Sequence, residues 1–166
     1  MALWQTSFLF LPQSLIADYD EVPVEVFERW QDELAAVAPE FVLPSDYAIT
    51  VAHLLPRTNG WHADMELWGN EKTDDICIWR DGGKLSSIGV RLDVRKLEDA
   101  LLEAVLALAE SWGCFLVERR YRKVCRMGVR DFRAFICGHP HHRAMQDPKG
   151  WLPVLAEEVR RNEEKG

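Results

Sequence analysis

Apolar and polar residues alternate through residues 88–95, which is the repeat expected of a β-strand with one buried face. The apolar positions are Ile88, Val90, Leu92 and Val94. A β-branched and aromatic segment, residues 76–79, comes before this strand. Between the two segments, residues 81–83 read Asp-Gly-Gly, which tolerates the positive φ of a tight turn. The pattern therefore predicts a β-hairpin over about residues 74–95.

A three-and-four apolar spacing follows the hairpin, from Leu97 to Trp112, and Gly113 is suited to end a helix. The same spacing predicts a helix over residues 23–38. Shorter helices are expected over residues 129–137 and 150–162. Strand composition is found at residues 4–11, 47–55, 61–68 and 114–118.

These elements predict an α+β fold in which helices pack on one face of an antiparallel sheet of about five to six strands. Residues 47–95 are expected to form a four-stranded meander within that sheet. We expect a single domain over residues 1–166, with a frayed tail at about 161–166.

The length and charge of the chain restrict the classes of function that it can have. The chain has 166 residues, 48% of them hydrophobic, which suffices for one core without disulfides or metal. A net charge of −7 disfavours general nucleic-acid binding and suits a basic partner that electrostatic steering brings in. No apolar run is long enough to span a bilayer. The four cysteines form no CxxC pair and are expected to be free thiols in the cytoplasm.

The predicted strand 61–68 places His62, Asp64, Glu66 and Trp68 on one face. Such a row is suited to acid–base chemistry or to a divalent metal, but any exposed strand has the same pattern. A tryptophan on a polar face is more unusual, because exposed tryptophans are enriched at protein interfaces.

A second polar row lies on the hairpin and comprises Arg91, Asp93 and Arg95. Its ordinary interpretation is a solvated strand face with ion pairs. Its functional interpretation is a surface on which arginine binds carboxylate, phosphate or a charged protein partner.

Other motifs support no specific chemistry. The densest group of metal-ligand residues is Cys137, His139, His141 and His142, with Cys125 as a further candidate, but the paired spacings of zinc sites are absent. The basic run 119–126 has the composition of a nucleic-acid or phosphate patch, but it is short and the chain is net acidic, so a solvated strand end or loop is the preferred interpretation. Nucleophile-elbow and nucleotide-binding motifs are missing, so no cofactor is expected.

The element order, the GKLSSIGVRLDVR segment before the long helix and the A-x2-DP-x2-WL tail at residues 144–152 together resemble known families. They are similar to small bacterial immunity-type proteins of polymorphic-toxin and contact-dependent systems, and to uncharacterised α+β proteins of similar size. The resemblance implies a protein that binds one cognate toxin and occludes it. It carries over no catalytic residue.

The leading hypothesis is a protein-binding module, in the specific case an immunity protein, that uses both polar rows. The rival is a small-molecule anion sensor or enzyme, in which Arg91 and Arg95 hold the anion while His62, Asp64 or Glu66 handles protons. A third hypothesis is that the sheet face forms the interface of a homodimer. The chain is otherwise expected to be a monomer. A concave pocket favours the rival, whereas a flat aromatic surface favours a protein partner.

Overall fold

The computed structural model describes residues 4–163 and contains an antiparallel sheet with helices packed against it. The strands are β1 (Gln5–Pro12), β2 (Arg57–Thr58), β3 (Met65–Gly69), β4 (Asp75–Asp81), β5 (Lys84–Asp93), β6 (Cys114–Glu118) and β7 (Val124–Cys125). The helices are α1 (Gln13–Ile16), α2 (Val24–Asp32), α3 (Leu34–Val37), α4 (Tyr47–Leu54), α5 (Asp99–Ser111), α6 (Val129–Gly138), α7 (Pro140–Gln146) and α8 (Pro148–Glu163).

The strand order is β2-β3-β4-β5-β1-β6-β7, so the first strand lies in the middle of the sheet. All eight residues of β1 are buried. The ring of Phe8 lies 5.1 Å from that of Phe132 in α6, and the ring of Phe10 lies 5.5 Å from that of Trp112, which follows α5. Helices α5 and α6 therefore pack on the β1 face that carries Phe8 and Phe10.

The strand register defines the two faces of the sheet. Residues that are directly opposite each other on neighbouring strands point to the same side of the sheet. One such row crosses four strands and contains Trp68, Ile76, Val90 and Phe8. We call their side the covered face, because Phe8 contacts α6 there. The opposite side, which we call the open face, carries Cys77, Gly89 and Leu9 at the neighbouring positions.

The α+β fold class is confirmed, as is its antiparallel sheet, which has seven strands within residues 4–163 against the five to six expected. The hairpin is β4 and β5, and the long helix is α5. Both have strong local periodicity, and the alternating residues Ile88, Val90, Leu92 and Val94 are buried as the pattern predicts.

The strand prediction for residues 47–55 was wrong, because Tyr47–Leu54 forms helix α4. Tyr47, Val51 and Leu54 recur at helical spacing and pack against the core, with Val51 fully buried. The meander therefore begins with the short strand β2 instead.

The other helices differ from the prediction at their boundaries. The helix expected over residues 23–38 is divided into α2 and α3 at Glu33, whose φ of −128° is not helical. Helix α7 was not predicted, and α8 begins at Pro148 and continues through Glu163. Residues 161–163 of the expected frayed tail are thus helical, whereas residues 164–166 lie outside the described part of the chain. No helix within residues 4–163 has the length and apolarity needed to cross a membrane.

Candidate functional site

The open face contains a depression of 460 Å³ above the centre of the sheet. Strands β1, β3, β4 and β5 form it, together with the turn before β3 and the residue after β6. Gly89 lies at its floor, where an added Cβ would approach the Cys77 sulfur to 3.2 Å. The absence of a side chain at Gly89 therefore keeps the floor deep. The polar lining residues are Ser7, Ser86, Ser87, Arg91 and Arg119.

Aromatic side chains border one side of this depression. Trp61 is 68% exposed, and its ring lies 5.2 Å from that of Trp79 on β4. The His62 ring lies 5.7 Å from the same Trp79 ring. We call Trp61, His62 and Trp79 the aromatic rim. The turn can approach the sheet closely because Gly60 has no Cβ, which would lie 2.6 Å from the Met65 carbonyl oxygen.

Arg91 connects the depression to a buried carboxylate. Its Nε and Nη2 atoms donate to Asp75, with the shortest contact, Nη2 to Oδ2, at 2.7 Å. The Asp75 side chain is 0% exposed, whereas that of Arg91 is 26% exposed. Burial raises the pKa of Asp75 to about 6, although the pairing with Arg91 acts to lower it.

Cys77 also lines the depression and is a free thiol. Burial and the nearby Asp75 carboxylate raise the pKa of this thiol. Because the thiolate is the reactive form, the surroundings of Cys77 disfavour nucleophilic chemistry.

The second polar row of the sequence is divided by the structure. Arg91 reaches the depression, but Asp93 and Arg95 pair with each other at 2.6 Å. Arg95 also lies 4.5 Å over the Trp4 ring, and its hydrogen bonds lower the pKa of Asp93. These contacts pair both side chains at the end of the sheet, as the ion pairs of the ordinary interpretation would, but Asp93 is buried rather than solvated.

His62 and Asp64 belong to the turn before β3 rather than to a strand. The Asp64 backbone N–H donates to His62 Nδ1 at 3.2 Å, and both side chains are about half exposed. His62 thereby contributes to the aromatic rim, with Asp64 beside it.

Glu66 and Trp68 lie on the covered face, so the prediction that they share one polar face with His62 and Asp64 was wrong. Strand β3 starts only at Met65, and its register pairs Glu66 with Ile78 and Trp68 with Ile76. Trp68 is 0% exposed, and its ring lies 6.4 Å from that of Tyr47.

Glu66 has several partners beneath α4. It accepts hydrogen bonds from the Tyr47 hydroxyl at 2.8 Å and from Arg80 Nε at 3.0 Å, and Arg57 lies 3.5 Å away. Arg57 also stacks over Trp68. The environment of Glu66 is that of a structural carboxylate.

The proposed metal cluster does not converge within the described side chains. His139 is buried beside Glu118 at 3.4 Å and packs against the Tyr121 ring, while Cys137 is half-buried. Within the described side chains, which exclude that of His141 but include that of His142, no group of three or more histidine, cysteine and acidic residues is placed to hold a metal ion.

Sequence reasoning missed much of the depression. Trp61 was predicted to lie in the strand 61–68, outside its polar row. The Pro-Arg-Thr-Asn-Gly stretch before it is a turn signal that could have continued through it. Arg119 was considered only as part of a basic run. Ser7 carried no local signal, because its place on the open face depends on pairing between distant strands.

Comparisons of this chain with protein-family models, with curated proteins and with solved structures found no match.

Proposed function

We propose that this protein is a protein-binding module that uses the open face of its sheet as the recognition surface. The observation that carries the proposal is the exposure of Trp61, which is 68% exposed and forms an aromatic surface with Trp79 on this face. Tryptophan and arginine dominate binding hot spots, and hot spots pair with pockets on the partner surface. A partner that covered Trp61 would bury apolar area that the isolated chain leaves in water.

Charge supports a particular class of partner. The net charge of −7 favours fast association with a basic protein, since complementary potentials steer the encounter. An immunity protein that occludes a basic toxin is the specific form of the proposal, and it rests on the family resemblance. The free cysteines suit a reducing compartment, and we propose the cytoplasm.

An anion sensor is the second candidate, and the concave shape with Arg91 and Arg119 favours it. The enzymatic form of this candidate has less support. Glu66 points to the covered face, away from Arg91, and His62 and Asp64 lie on an exposed turn. The residues expected to move protons therefore do not converge on the arginines that would hold the anion.

Affinity capture from the source cells tests the proposal when it is done with three forms of the protein: wild type, Trp61→Ala and Ile49→Ala. Ile49 is a matched control, because it is also an exposed apolar residue but lies on α4. We expect one protein to co-purify at equal stoichiometry with wild type and Ile49→Ala, and to be lost with Trp61→Ala. Equal recovery of that protein with Trp61→Ala would refute recognition through the open face.

A further inference from the structure

We propose that the depression binds an acidic side chain of the protein partner, with its carboxylate at Arg91 and Arg119 and an adjoining aromatic residue against the rim. This inference rests on the proposed function of the open face and adds the chemistry of the group that enters it. The net charge of the chain steers a partner that is basic overall, whereas the depression contacts one acidic side chain of that partner. The occupant is thus a partner segment that carries aspartate or glutamate next to an aromatic residue.

Two arginines line the depression and no acidic residue does, among the side chains that the structure describes. This is unusual in a chain with 27 acidic and 20 basic residues. A carboxylate is complementary to such a lining, and arginine binds carboxylates with good geometry.

Arg91 is held in place by its pair with Asp75. Asp75 occupies its Nε and Nη2 atoms from behind, and Asp75 itself is buried out of reach of a ligand. A guanidinium has five N–H donors, so this pair leaves the Nη1 group outside the contact. Asp75 thus holds the guanidinium in place, and the Arg91 side chain lines the depression.

A volume of 460 Å³ is sufficient for one or two side chains, and the missing Cβ at Gly89 keeps the floor accessible. The Ser7 and Ser87 hydroxyl groups line the same space as the arginines. On the other side, Trp61 and Trp79 offer aromatic surfaces for stacking.

The negative charge of Asp75 also reduces the attraction of Arg91 for an incoming carboxylate. Asparagine at this position keeps an oxygen that accepts from Arg91, but it removes that charge and leaves more of the positive charge for the depression. The inference therefore predicts that Asp75→Asn strengthens carboxylate binding, whereas a merely structural Arg91 gives no such gain.

The test is an NMR titration of ¹⁵N-labelled protein with acetyl-Phe-Glu-Gly-amide and, separately, with its glutamine counterpart. We expect saturable shifts of the Gly89 amide and the Trp61 and Trp79 indole signals with the glutamate peptide. The glutamine peptide should bind about tenfold more weakly, as expected for loss of a charged hydrogen-bond partner.

Three variants complete the design, and the dispersion of each spectrum reports folding. Arg91→Gln should weaken binding of the glutamate peptide about tenfold, and Asp75→Asn should strengthen it several-fold. Arg95→Gln is the matched control, because its ion pair lies on the same hairpin but outside the depression, and binding should be unchanged.

Equal shifts with the glutamate and glutamine peptides, or unchanged binding in Arg91→Gln, would overturn the acidic anchor. Neither result would affect the Trp61-dependent capture, so the wider proposal for the open face is tested separately. Conversely, if capture does not depend on Trp61, the proposed function fails whatever the peptides do.

Discussion

Each face of the sheet holds a carboxylate beside an arginine, but the surroundings of the two carboxylates differ. On the covered face, Glu66 meets Tyr47, Arg80 and Arg57 beneath helix α4. On the open face, Asp75 is held by Arg91, and this arginine borders a depression. A helix of the chain thus completes the first cluster, and we propose that a partner completes the second.

The tryptophans show the same contrast. Trp68 is fully buried on the covered face, while Trp61 is largely exposed at the aromatic rim. Two residues of one type, seven positions apart, thus have different consequences when removed. One should contribute chiefly to folding and the other chiefly to binding.

The largest expected effect comes from truncating the buried tryptophan. Trp68→Ala should lower the free energy of unfolding by about 3–5 kcal/mol, because it leaves a cavity in the core. Trp61→Ala should change it by no more than about 0.5 kcal/mol. Urea unfolding followed by circular dichroism measures both. Similar losses for the two variants would remove the distinction between the faces.

The pH dependence of stability should distinguish the open-face carboxylate. The pKa of Asp75 is raised on folding from 3.8 to about 6, so its stabilising contribution is fully present below pH 3.8 and is lost as pH rises through 6. Relative to Asp75→Asn, the wild type should gain about 2 kcal/mol between pH 7 and pH 4.

Denaturant midpoints of both proteins across this pH range measure the difference. Subtracting the variant removes the contributions of other groups, including Asp93, whose lowered pKa acts in the opposite direction. A parallel pH profile for the two proteins would show that burial does not dominate at Asp75.

The affinity for the protein partner should depend mainly on the aromatic rim. Trp61→Ala should weaken the complex with the captured partner by about 2 kcal/mol or more, a value typical of a hot spot. Isothermal titration calorimetry measures the change, with Ile49→Ala as control. Equal losses for the two variants would indicate a general effect of surface apolar area.

The smallest effect should come from the covered-face carboxylate. Glu66→Gln keeps the shape and part of the hydrogen bonding, so it should lower stability by about 1 kcal/mol and leave peptide binding at the depression unchanged. Unfolding and the NMR titration test the two parts. A loss of peptide binding would show that the faces are coupled.

Local periodicity was sufficient to predict the hairpin and α5 from the sequence, because their apolar repeats extend over many residues. It failed for α4, since the apolar segment Tyr47–Leu54 fits either structure and tertiary contacts such as Tyr47 with Glu66 favour the helix. The faces of Glu66 and Trp68 depend on where β3 begins, and a start at Met65 is set by pairing with Trp79.

The candidate site was harder to predict than the fold. Arg91 and His62 were identified, but they belong to different parts of the site and not to one polar row. Ser7, Trp61 and Arg119 meet only because β1 lies in the middle of the sheet, between β5 and β6. That central placement is a non-local property, which no short pattern encodes.

Recognition through the open face is tested most directly by photo-crosslinking in the source cells. A benzoylphenylalanine placed at position 61 samples the aromatic rim, and one placed at position 49 samples exposed apolar surface on α4. We expect position 61 to yield one crosslinked protein, which excess unlabelled wild type displaces, and position 49 to yield none. Crosslinks of equal strength to the same protein from position 49, or none from position 61, would contradict the account.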